Sequence, residues 1–256
     1  MYVIVNAASG GGRAAEKWTR VERALRERGV AFEAHLSRSA EEGNDLLSEA
    51  IRGRHAVVVA AGGDGTVNGL VNALLDPATD RPRADVAVGA IGLGSSNDFH
   101  KPFSPGSSIS GVPIRIARES AAEVDVGKAV LVDPEGRTST RYFVLNGSLG
   151  FVAEGNAYFN GPDPVLGWFK RRHTEAAILY TALVNLFRFR PIGLHLRLDG
   201  GEPCHATVSS LAVLKKVHFA GGMRYDTPVT PDDGTFDVAL WGRMGQGRIL
   251  LTMAGR

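Results

Sequence analysis

The fold is decided by one stretch, Ala56-Val57-Val58-Val59-Ala60-Ala61-Gly62-Gly63-Asp64-Gly65-Thr66-Val67-Asn68. Its first six residues, 56–61, are continuously apolar, which is typical of a parallel strand that is covered on both faces. A helix is predicted from Thr66 to Leu75. Because ligands bind beyond the carboxyl ends of the strands in open α/β sheets, the glycine-rich turn between this strand and this helix is a candidate binding loop.

Strands and helices alternate on both sides of this stretch. The predicted strands are 2–5, 32–36 and 86–91, and the predicted helices are 14–28 and the segment after Ser39, where Ser39 and Glu42 form a capping-box pattern. Alternation at this spacing predicts a doubly wound α/β domain, which we assign to residues 1–122.

The pattern changes after residue 122, where candidate strands follow one another. They are 124–132, 142–146, 194–199, 205–214 and 236–241, with one predicted helix over about 175–187. Runs of strands predict a second, mostly antiparallel, β-rich domain over residues 123–256.

Composition limits the class of protein. The 29 Lys and Arg against 27 Asp and Glu give a formal net charge of +2, which argues against a nucleic-acid-binding protein. The single cysteine, Cys204, excludes an internal disulfide and a multi-cysteine zinc site. The sequence shows neither a signal-peptide pattern nor an apolar run of about 18 residues, so we expect a cytoplasmic protein.

The glycine-rich turn has the properties of a phosphate-binding loop, although it lacks the Walker A pattern. Its glycines allow a close approach of the backbone, and the N-terminus of the following helix favours an anion. Asp64 is unexpected there, because a carboxylate 4 Å from a phosphate charge is repelled by about 4 kcal/mol at an effective dielectric of 20. The carboxylate is expected either to face a metal ion such as Mg²⁺ or to handle a proton. Alternatively, Gly-Asp-Gly is an ordinary turn.

The next predicted strand ends in a similar loop, Ile91-Gly92-Leu93-Gly94-Ser95-Ser96-Asn97-Asp98-Phe99. Two such loops on neighbouring strand ends predict one crevice that presents Asp64 and Asp98 together. The alternative is that Asn97 and Asp98 cap a short helix.

The ordered set of motifs resembles the diacylglycerol kinase catalytic-domain family, which includes bacterial lipid kinases and sphingosine kinases. The matching segments are 6–10, 62–66, 94–99, 124–128, 146–151, 221–223, Pro228 and 233–238. The Gly-Gly-Asp-Gly-Thr motif alone also occurs in NAD kinases and phosphofructokinases. This chain departs from the family pattern at two places. The family has proline where this chain has Ala7, and it has Pro-x-Gly-Thr where this chain has Gly-Leu-Gly-Ser at residues 92–95.

The resemblance implies an N-terminal nucleotide domain, a C-terminal lipid-substrate domain and an active site in the cleft between them. The implied reaction transfers the γ-phosphoryl group of ATP to the hydroxyl of diacylglycerol or a related lipid, with Mg²⁺. The implied ATP-binding residues are Asn6, Ser9, Gly62, Gly63, Gly65, Thr66, Gly94, Ser95 and Asn97. The implied magnesium-positioning residues, acting partly through water, are Asp64, Asp98 and Asp125. Asp233 is the leading candidate for the general base, and Asp64 is the alternative.

The expected partners are the lipid substrate and a peripheral membrane surface, with a role in phospholipid biosynthesis; a homodimer is a further candidate. A basic and aromatic segment, 167–173, precedes an apolar helix, which indicates either a contact with a membrane surface or a solvated basic face on a core helix. Two other functions are consistent with the sequence. One is an NAD kinase-like or other soluble-metabolite kinase, and the other is a non-catalytic relative that binds a nucleotide or lipid.

Overall fold

A computed structural model describes residues 1–102 and 107–254. The chain divides into two compact units, Met1–Val144 and Leu145–Arg256. Composition predicts an earlier boundary, between residues 122 and 123.

The first unit carries ten strands and three α-helices among its described residues. The strands are β1 (Tyr2–Asn6), β2 (Glu33–Ser37), β3 (Val57–Gly62), β4 (Leu75–Asp76), β5 (Arg81–Pro82), β6 (Ala87–Gly92), β7 (Ser108–Ile109), β8 (Val112–Arg115), β9 (Gly127–Val132) and β10 (Thr138–Phe143). The helices are α1 (Ala14–Glu27), α2 (Ala40–Arg52) and α3 (Asp64–Leu74).

The main sheet of this unit has the strand order β2-β1-β3-β6-β8-β7. Strands β1, β2, β3 and β6 are parallel, and β8 and β7 continue the sheet in antiparallel pairings. The predicted α/β fold with a parallel core is therefore confirmed. Every residue of β3 is buried, as expected of a central parallel strand.

The core of the first unit lies between α1 and the sheet. The helix presents Trp18, Val21 and Leu25 on one face, and they pack with sheet residues that include Val59 and Ile91. Burial of this apolar stripe is the main stabilisation that α1 receives, because isolated helices of this length are marginal in water. The packing fixes the start of α1 beside the carboxyl ends of β1, β3 and β6.

The predicted capping box before α2 is present in a modified form. The Ser39 hydroxyl accepts a hydrogen bond from the Glu42 amide at 3.1 Å, as predicted. The Glu42 carboxylate accepts from the amide of Arg38 at 2.7 Å, one residue before the N-cap. Both bonds satisfy backbone donors that a helix start otherwise leaves without partners.

A hairpin explains why the first unit extends to Val144. Strands β9 and β10 pair with each other. The side chain of Asn72 on α3 bonds to both backbone groups of Tyr142 in β10. The Asn72 amide donates to the Tyr142 oxygen at 2.8 Å, and the Asn72 oxygen accepts from the Tyr142 nitrogen at 2.9 Å. The Tyr142 hydroxyl and the Lys128 ammonium both donate to Asp80, at 2.5 and 2.7 Å. These bonds attach the hairpin to α3 and to the loop that follows α3. The hairpin therefore belongs to the first unit, although the change in composition near residue 122 predicts it in the second.

The second unit is built on an antiparallel sheet, as predicted. Its elements are β11 (Asn146–Gly150), α4 (Phe151–Asn160), α5 (Pro164–Arg172), α6 (Thr174–Arg188), β12 (Ile192–Leu196), β13 (Cys204–Leu214), β14 (His218–Phe219), β15 (Met223–Arg224), β16 (Asp237–Gly242) and α7 (Gln246–Ala254). The long strand β13 pairs antiparallel with β11, β12 and β16.

The structure corrects two sequence predictions in this region. The predicted strand 142–146 is wrong, because β10 ends at Phe143 and β11 begins at Asn146. The single predicted helix is α6, whereas α4, α5 and α7 were missed. A signal for α5 was available: Asp163 is its N-cap, its carboxylate accepts from the Leu166 amide at 2.8 Å, and Pro164 occupies the first helical position.

No helix within the described ranges is long and apolar enough to cross a membrane.

The bonds between α3 and β10 generate a prediction about stability. We expect Asn72→Ala to lower the free energy of unfolding by about 1–3 kcal/mol, because the two backbone groups of Tyr142 lose their side-chain partner. Urea denaturation measures this change, and hydrogen exchange should show lower protection in β10. Asn68→Ala, one turn earlier on α3, is the matched control, since Asn68 contributes its backbone oxygen to Asn72. Equal losses in both variants would contradict the assignment.

Candidate functional site

The glycine-rich turn after β3 leads directly into a helix. Helix α3 begins at Asp64, earlier than the predicted start at Thr66, and Gly63 is its N-cap residue. The Gly63 oxygen accepts from the Thr66 amide at 2.9 Å. A Cβ on Gly62 would overlap the Thr66 side chain, so the turn excludes any larger residue there. Asp64 thus occupies the first helical position, where the helix dipole favours negative charge.

The loop after β1 is bonded to the same helix start. The Asn6 amide donates to the Thr66 hydroxyl at 3.0 Å, and the Ser9 hydroxyl lies 3.4 Å from that same oxygen. The Asn6 oxygen accepts from the Ala8 amide at 3.0 Å, which shapes the loop. Asn6, Ser9 and Thr66, three of the predicted nucleotide-binding residues, therefore meet in one cluster.

The loop after β6 packs against the turn after β3. The Gly62 oxygen accepts from the amides of Leu93 and Gly94 at 2.9 and 3.2 Å. A Cβ on Gly94 would overlap the Cα atom of Gly63, so these two backbones approach as closely as glycine permits. The loop after β1 also touches the loop after β6 at Gly10, whose φ is +63° and whose Cβ would lie 2.5 Å from the Leu93 oxygen.

Asn97 fixes the shape of the β6 loop. It adopts the left-handed conformation with φ at 51°, which asparagine tolerates better than most residues. Its oxygen accepts from the Gly94 amide at 3.1 Å, and its amide donates to the Gly92 oxygen at 3.1 Å. The alternative role, capping of the short helix Asp98–His100, is not seen, because Asn97 makes no side-chain cap bond there. Ser95 and Gly65 are exposed on their loops.

A cation that the sequence analysis missed lies at these loops. The Lys17 ammonium donates to the backbone oxygens of Leu93 and Gly94 at 3.3 and 3.2 Å. Burial lowers the pKa of Lys17, and the charges of Arg13 and Arg20 lower it further. In the sequence, Lys17 looks like any solvated lysine of an amphipathic helix. Only the position of α1 over the β6 loop in the structure identifies its contact with that loop.

Asp64 is the titratable group at the centre of the site. It is half-buried, and one of its carboxylate oxygens accepts from the Phe99 amide at 2.8 Å. Burial raises the pKa of Asp64, and the charge of Asp98 raises it further. The backbone amides of Phe99 and Asp98 and the charge of Lys101 act in the opposite direction without cancelling the rise. The structure thus brings Asp64 and Asp98 together, as the spacing of the loops predicted.

Asp98 differs from Asp64 because its charge has a buried counter-ion. The Lys101 ammonium lies 2.7 Å from the Asp98 carboxylate, and the two residues are 8% and 6% exposed. A buried pair of this kind is costly to break, since removal of one partner leaves an uncompensated charge. Asp98 therefore has a structural role in holding the β6 loop.

The three carboxylates predicted to position magnesium do not form a cluster of direct ligands among the described residues. Within residues 1–102 and 107–254, no group of three or more His, Cys, Asp or Glu side chains could hold a metal ion. Asp64 is bonded to an amide and Asp98 to a lysine, so with Asp125 they do not fit a resident ion ligated by all three. Magnesium usually keeps several waters and takes substrate phosphates plus one or two carboxylates as ligands. An ion at this site would accordingly be part of a nucleotide substrate.

Asp233, the predicted general base, lies in a turn of the second unit. It is exposed, and its carboxylate accepts from the Thr235 amide at 3.1 Å and from the Lys215 ammonium at 3.3 Å. These bonds hold the pKa of Asp233 below its usual range, with the Thr235 amide as the largest cause. Lys215 is only 2% exposed and also donates to the oxygens of Thr230 and Thr235 at 3.0 and 2.8 Å. Lys215 organises the turn, a role that sequence analysis missed.

Comparison with known proteins places this site in a family. Residues 1–129 match the diacylglycerol kinase catalytic domain. The chain belongs to this family. The match covers all three loops of the site and extends through the first residues of β9.

Relatives and solved structures agree with the family assignment. A probable lipid kinase YegS-like protein of Chromohalobacter salexigens is 29% identical over 221 residues, and a diacylglycerol kinase of Staphylococcus haemolyticus is 29% identical over 117 residues. These alignments cover 84% and 45% of this chain, and 63% and 31% of the two relatives. A crystal structure of a diacylglycerol kinase from Bacillus anthracis matches with a TM-score of 0.61 at 18% identity, covering 100% of this chain and 77% of that one. That likeness shows the shared fold.

The close contact of the two glycine turns predicts a loss of nucleotide binding on substitution. We expect Gly94→Ala to weaken ATP binding at least tenfold, because its Cβ would push the β6 loop away from Gly63. Isothermal titration calorimetry measures the affinity. Gly69→Ala is the matched control: nothing lies within 4 Å of its Cβ, and it should stabilise α3 by about 0.5–1 kcal/mol. Unchanged binding by Gly94→Ala would show that the contact is not needed.

The raised pKa of Asp64 predicts a pH-dependent stability. The folded state binds the proton more tightly than the unfolded chain, so ionised Asp64 destabilises the fold at neutral pH, and this burden disappears as pH falls below the unfolded pKa near 3.8. We therefore expect Asp64→Asn to unfold at a higher temperature than the wild type at pH 7, with a difference that shrinks towards pH 4.

Asp80→Asn is the control with the opposite sign, because the hydrogen bonds from Lys128 and Tyr142 lower the pKa of Asp80. Its replacement should lower the unfolding temperature at pH 7. Both shifts are measured by thermal melts across pH. An Asp64→Asn protein that melts below the wild type at pH 7 would contradict the argument.

Proposed function

We propose that the protein transfers the γ-phosphoryl group of ATP to the hydroxyl of a lipid such as diacylglycerol. The observation that carries the proposal is the position of Asp64: a carboxylate with a raised pKa at the first residue of α3, directly after the two glycines of the turn. The names of the relatives, lipid kinase and diacylglycerol kinase, supply the class of acceptor.

The loops after β1, β3 and β6 are suited to hold the phosphates of the nucleotide. The turn Gly62–Gly63 and the first amides of α3 present backbone donors and a partial positive charge. The predicted contacts from Ser9 and Ser95 would add hydroxyl donors. Lys17 lies on two carbonyls of the same loop and would bring a positive charge to balance the phosphates. ATP would enter as its magnesium complex, with the ion held mainly by phosphates and water.

The transfer needs positioning and charge stabilisation more than a protein nucleophile. The lipid hydroxyl oxygen forms a bond to the γ-phosphorus while the bond from that phosphorus to the bridging oxygen of ADP breaks. The hydroxyl proton passes to a carboxylate, and ADP leaves with the electron pair of the broken bond. Every atom of the two substrates is thereby accounted for in the phosphorylated lipid, ADP and one proton.

Asp64 is the better proton acceptor of the two candidates. Its raised pKa makes it a stronger base than an ordinary aspartate, and the Phe99 amide orients one of its oxygens. The lowered pKa of Asp233 makes that carboxylate a weaker base, and its bonds to Thr235 and Lys215 suit a structural role in its turn. We therefore assign proton acceptance to Asp64 and retain Asp233 as a candidate for contact with the acceptor. A cleft between the two units and a homodimer remain predictions.

The proposal is tested by phosphoryl transfer from radiolabelled ATP to a panel of acceptors: diacylglycerol, sphingosine, phosphatidylglycerol and NAD. We expect labelled lipid, and we expect Asp64→Asn to lower kcat by a factor of about 10²–10⁴, as for loss of a general base. Asp85→Asn, an exposed carboxylate of the same unit, is the control and should retain activity.

Three outcomes would contradict parts of the proposal. Labelling of NAD and of no lipid would indicate a soluble-metabolite kinase. Binding of the magnesium complex of ATP without transfer to any acceptor would indicate a non-catalytic relative. Full activity of Asp64→Asn together with a large loss in Asp233→Asn would return the role of base to Asp233.

A further inference from the structure

A cavity of the first unit is lined by residues other than those of the glycine loops. It has a volume of about 430 Å³, within the range of about 300–1,000 Å³ that is typical of small-molecule sites. Its lining residues come from α2, from α3 and the segment 75–83 that follows it, and from β10. None of the predicted nucleotide-binding or magnesium-positioning residues is among them. The cavity is therefore a separate candidate site.

The lining of this cavity combines buried apolar residues with exposed polar ones. Leu47 of α2 and Leu75 of β4 are only 2% and 9% exposed. Asn44 and Ser48 of α2 also line the cavity and are exposed. A ligand would meet apolar surface in the interior and hydrogen-bonding groups near the opening. This combination is typical of sites that bind a small organic molecule with one polar end.

The charge of the lining is positive. Arg83 and Arg141 both line the cavity, and no Asp or Glu is among its lining residues. The Arg141 guanidinium donates to the Thr140 oxygen at 3.0 Å. Within residues 1–102 and 107–254, neither arginine forms an ion pair with a carboxylate. A guanidinium presents five N–H donors in a plane that matches the oxygens of a phosphate or carboxylate group.

The carboxylates of the adjoining loop have partners of their own. Asp80 accepts hydrogen bonds from the Lys128 ammonium and the Tyr142 hydroxyl, at 2.7 and 2.5 Å. Asp76 accepts from the Ala78 amide at 3.0 Å within its own turn. The negative charge that would complement the two arginines of the cavity must therefore come from a ligand.

We propose that this cavity binds a small organic anion. Arg83 and Arg141 bind its phosphate or carboxylate group, and Leu47 and Leu75 contact its apolar part. Ser48 adds a hydrogen bond near the opening. This site is independent of the proposed phosphoryl transfer, because it uses none of the residues to which that function is assigned.

Binding of a ligand in the cavity would stabilise the attachment of the β9–β10 hairpin. Asn72 and Tyr142, whose hydrogen bonds join α3 to β10, both line the cavity. A ligand that contacts α2, α3 and β10 together binds the folded chain and not the unfolded one, so it raises the free energy of unfolding. We therefore expect an occupied cavity to increase hydrogen-exchange protection in β10.

The test is isothermal titration calorimetry of the full chain with four probes: phenyl phosphate, benzoate, inorganic phosphate and benzyl alcohol. We expect phenyl phosphate or benzoate to bind, and the comparison between them identifies the acidic group that the arginines prefer. Inorganic phosphate lacks the apolar part and benzyl alcohol lacks the charge. Each should bind at least about tenfold more weakly than the preferred organic anion.

The arginines are tested by single substitutions. Arg83→Gln and Arg141→Gln should each weaken binding of the preferred anion about tenfold, the effect of losing one hydrogen bond to a charged group. Ser48→Trp, whose larger side chain would occupy the opening, should abolish binding. Arg81→Gln is the matched control, because Arg81 is exposed in the same segment and does not line the cavity. It removes the same charge and should bind like the wild type.

Folding of the variants is checked by thermal melts. The four substituted positions are exposed, so we expect folded proteins. The preferred anion should raise the melting temperature of the wild type and of Arg81→Gln, and should raise that of Ser48→Trp not at all. Gly94→Ala separates the cavity from the glycine loops, and it should keep the affinity for the organic anion.

Three outcomes would overturn the inference. Absence of binding by both organic anions would show that the cavity is not an anion site. Equal weakening by Arg81→Gln, Arg83→Gln and Arg141→Gln would indicate a general attraction to positive charge. Loss of binding in Gly94→Ala together with unchanged binding in Arg83→Gln would assign the anion to the glycine loops. None of these measurements involves turnover, so each outcome leaves the proposed phosphoryl transfer to its own test.

Discussion

The approach of two glycine turns is the constraint on which the site depends. The Gly62 oxygen accepts hydrogen bonds from both Leu93 and Gly94, and Gly94 lies against the Cα atom of Gly63 with no room for a side chain. Parallel pairing of β3 with β6 brings these turns to the same edge of the sheet. Because neither Gly63 nor Gly94 has a Cβ atom, the start of α3 and the β6 loop can lie in direct backbone contact.

The electrostatics of the site follow from that proximity. Asp64 reaches the Phe99 amide only because the β6 loop lies beside α3. The same enclosure removes water from its carboxylate and raises its pKa. The charge of Asp98, in contrast, is neutralised by the buried Lys101 ammonium, which lies 2.7 Å from its carboxylate. The site therefore contains one carboxylate on the β6 loop that is committed to structure and one at the start of α3 whose proton affinity is raised, an arrangement typical of acid–base sites.

The sequence predicted the framework of the first unit well because its signals are local. The apolar runs of β3 and β6 and the stripe of α1 are visible in a single window of residues, and the two glycine loops follow from strand ends. The role of Lys17 depends on where α1 crosses the β6 loop, and that of Lys215 on how a turn closes over it. Such contacts join distant parts of the chain, and no periodic pattern records them.

The errors have the same origin. Composition changes near residue 122, yet the β9–β10 hairpin belongs to the first unit because Asn72 bonds to the backbone of Tyr142. The pattern at 142–146 was apolar enough for one strand, but the backbone leaves the hairpin after Phe143 and enters a different sheet at Asn146. The direct partners of each carboxylate could not be predicted, because the order of residues in a motif does not determine which cation or amide each carboxylate bonds to. The water-mediated positioning of magnesium by Asp64, Asp98 and Asp125 stays a prediction.

The raised pKa of Asp64 also bears on why the turn proposed to bind phosphate carries a carboxylate. A fully ionised Asp64 would repel a phosphate strongly, and more so where burial lowers the effective dielectric. The same burial raises the pKa of Asp64, so this carboxylate accepts a proton more readily than an ordinary aspartate. Once protonated, Asp64 carries no negative charge and no longer repels the phosphate. In a phosphoryl transfer that proton comes from the attacking hydroxyl, at the moment when the phosphate is closest. Repulsion between Asp64 and phosphate would then favour the proton transfer that the reaction requires.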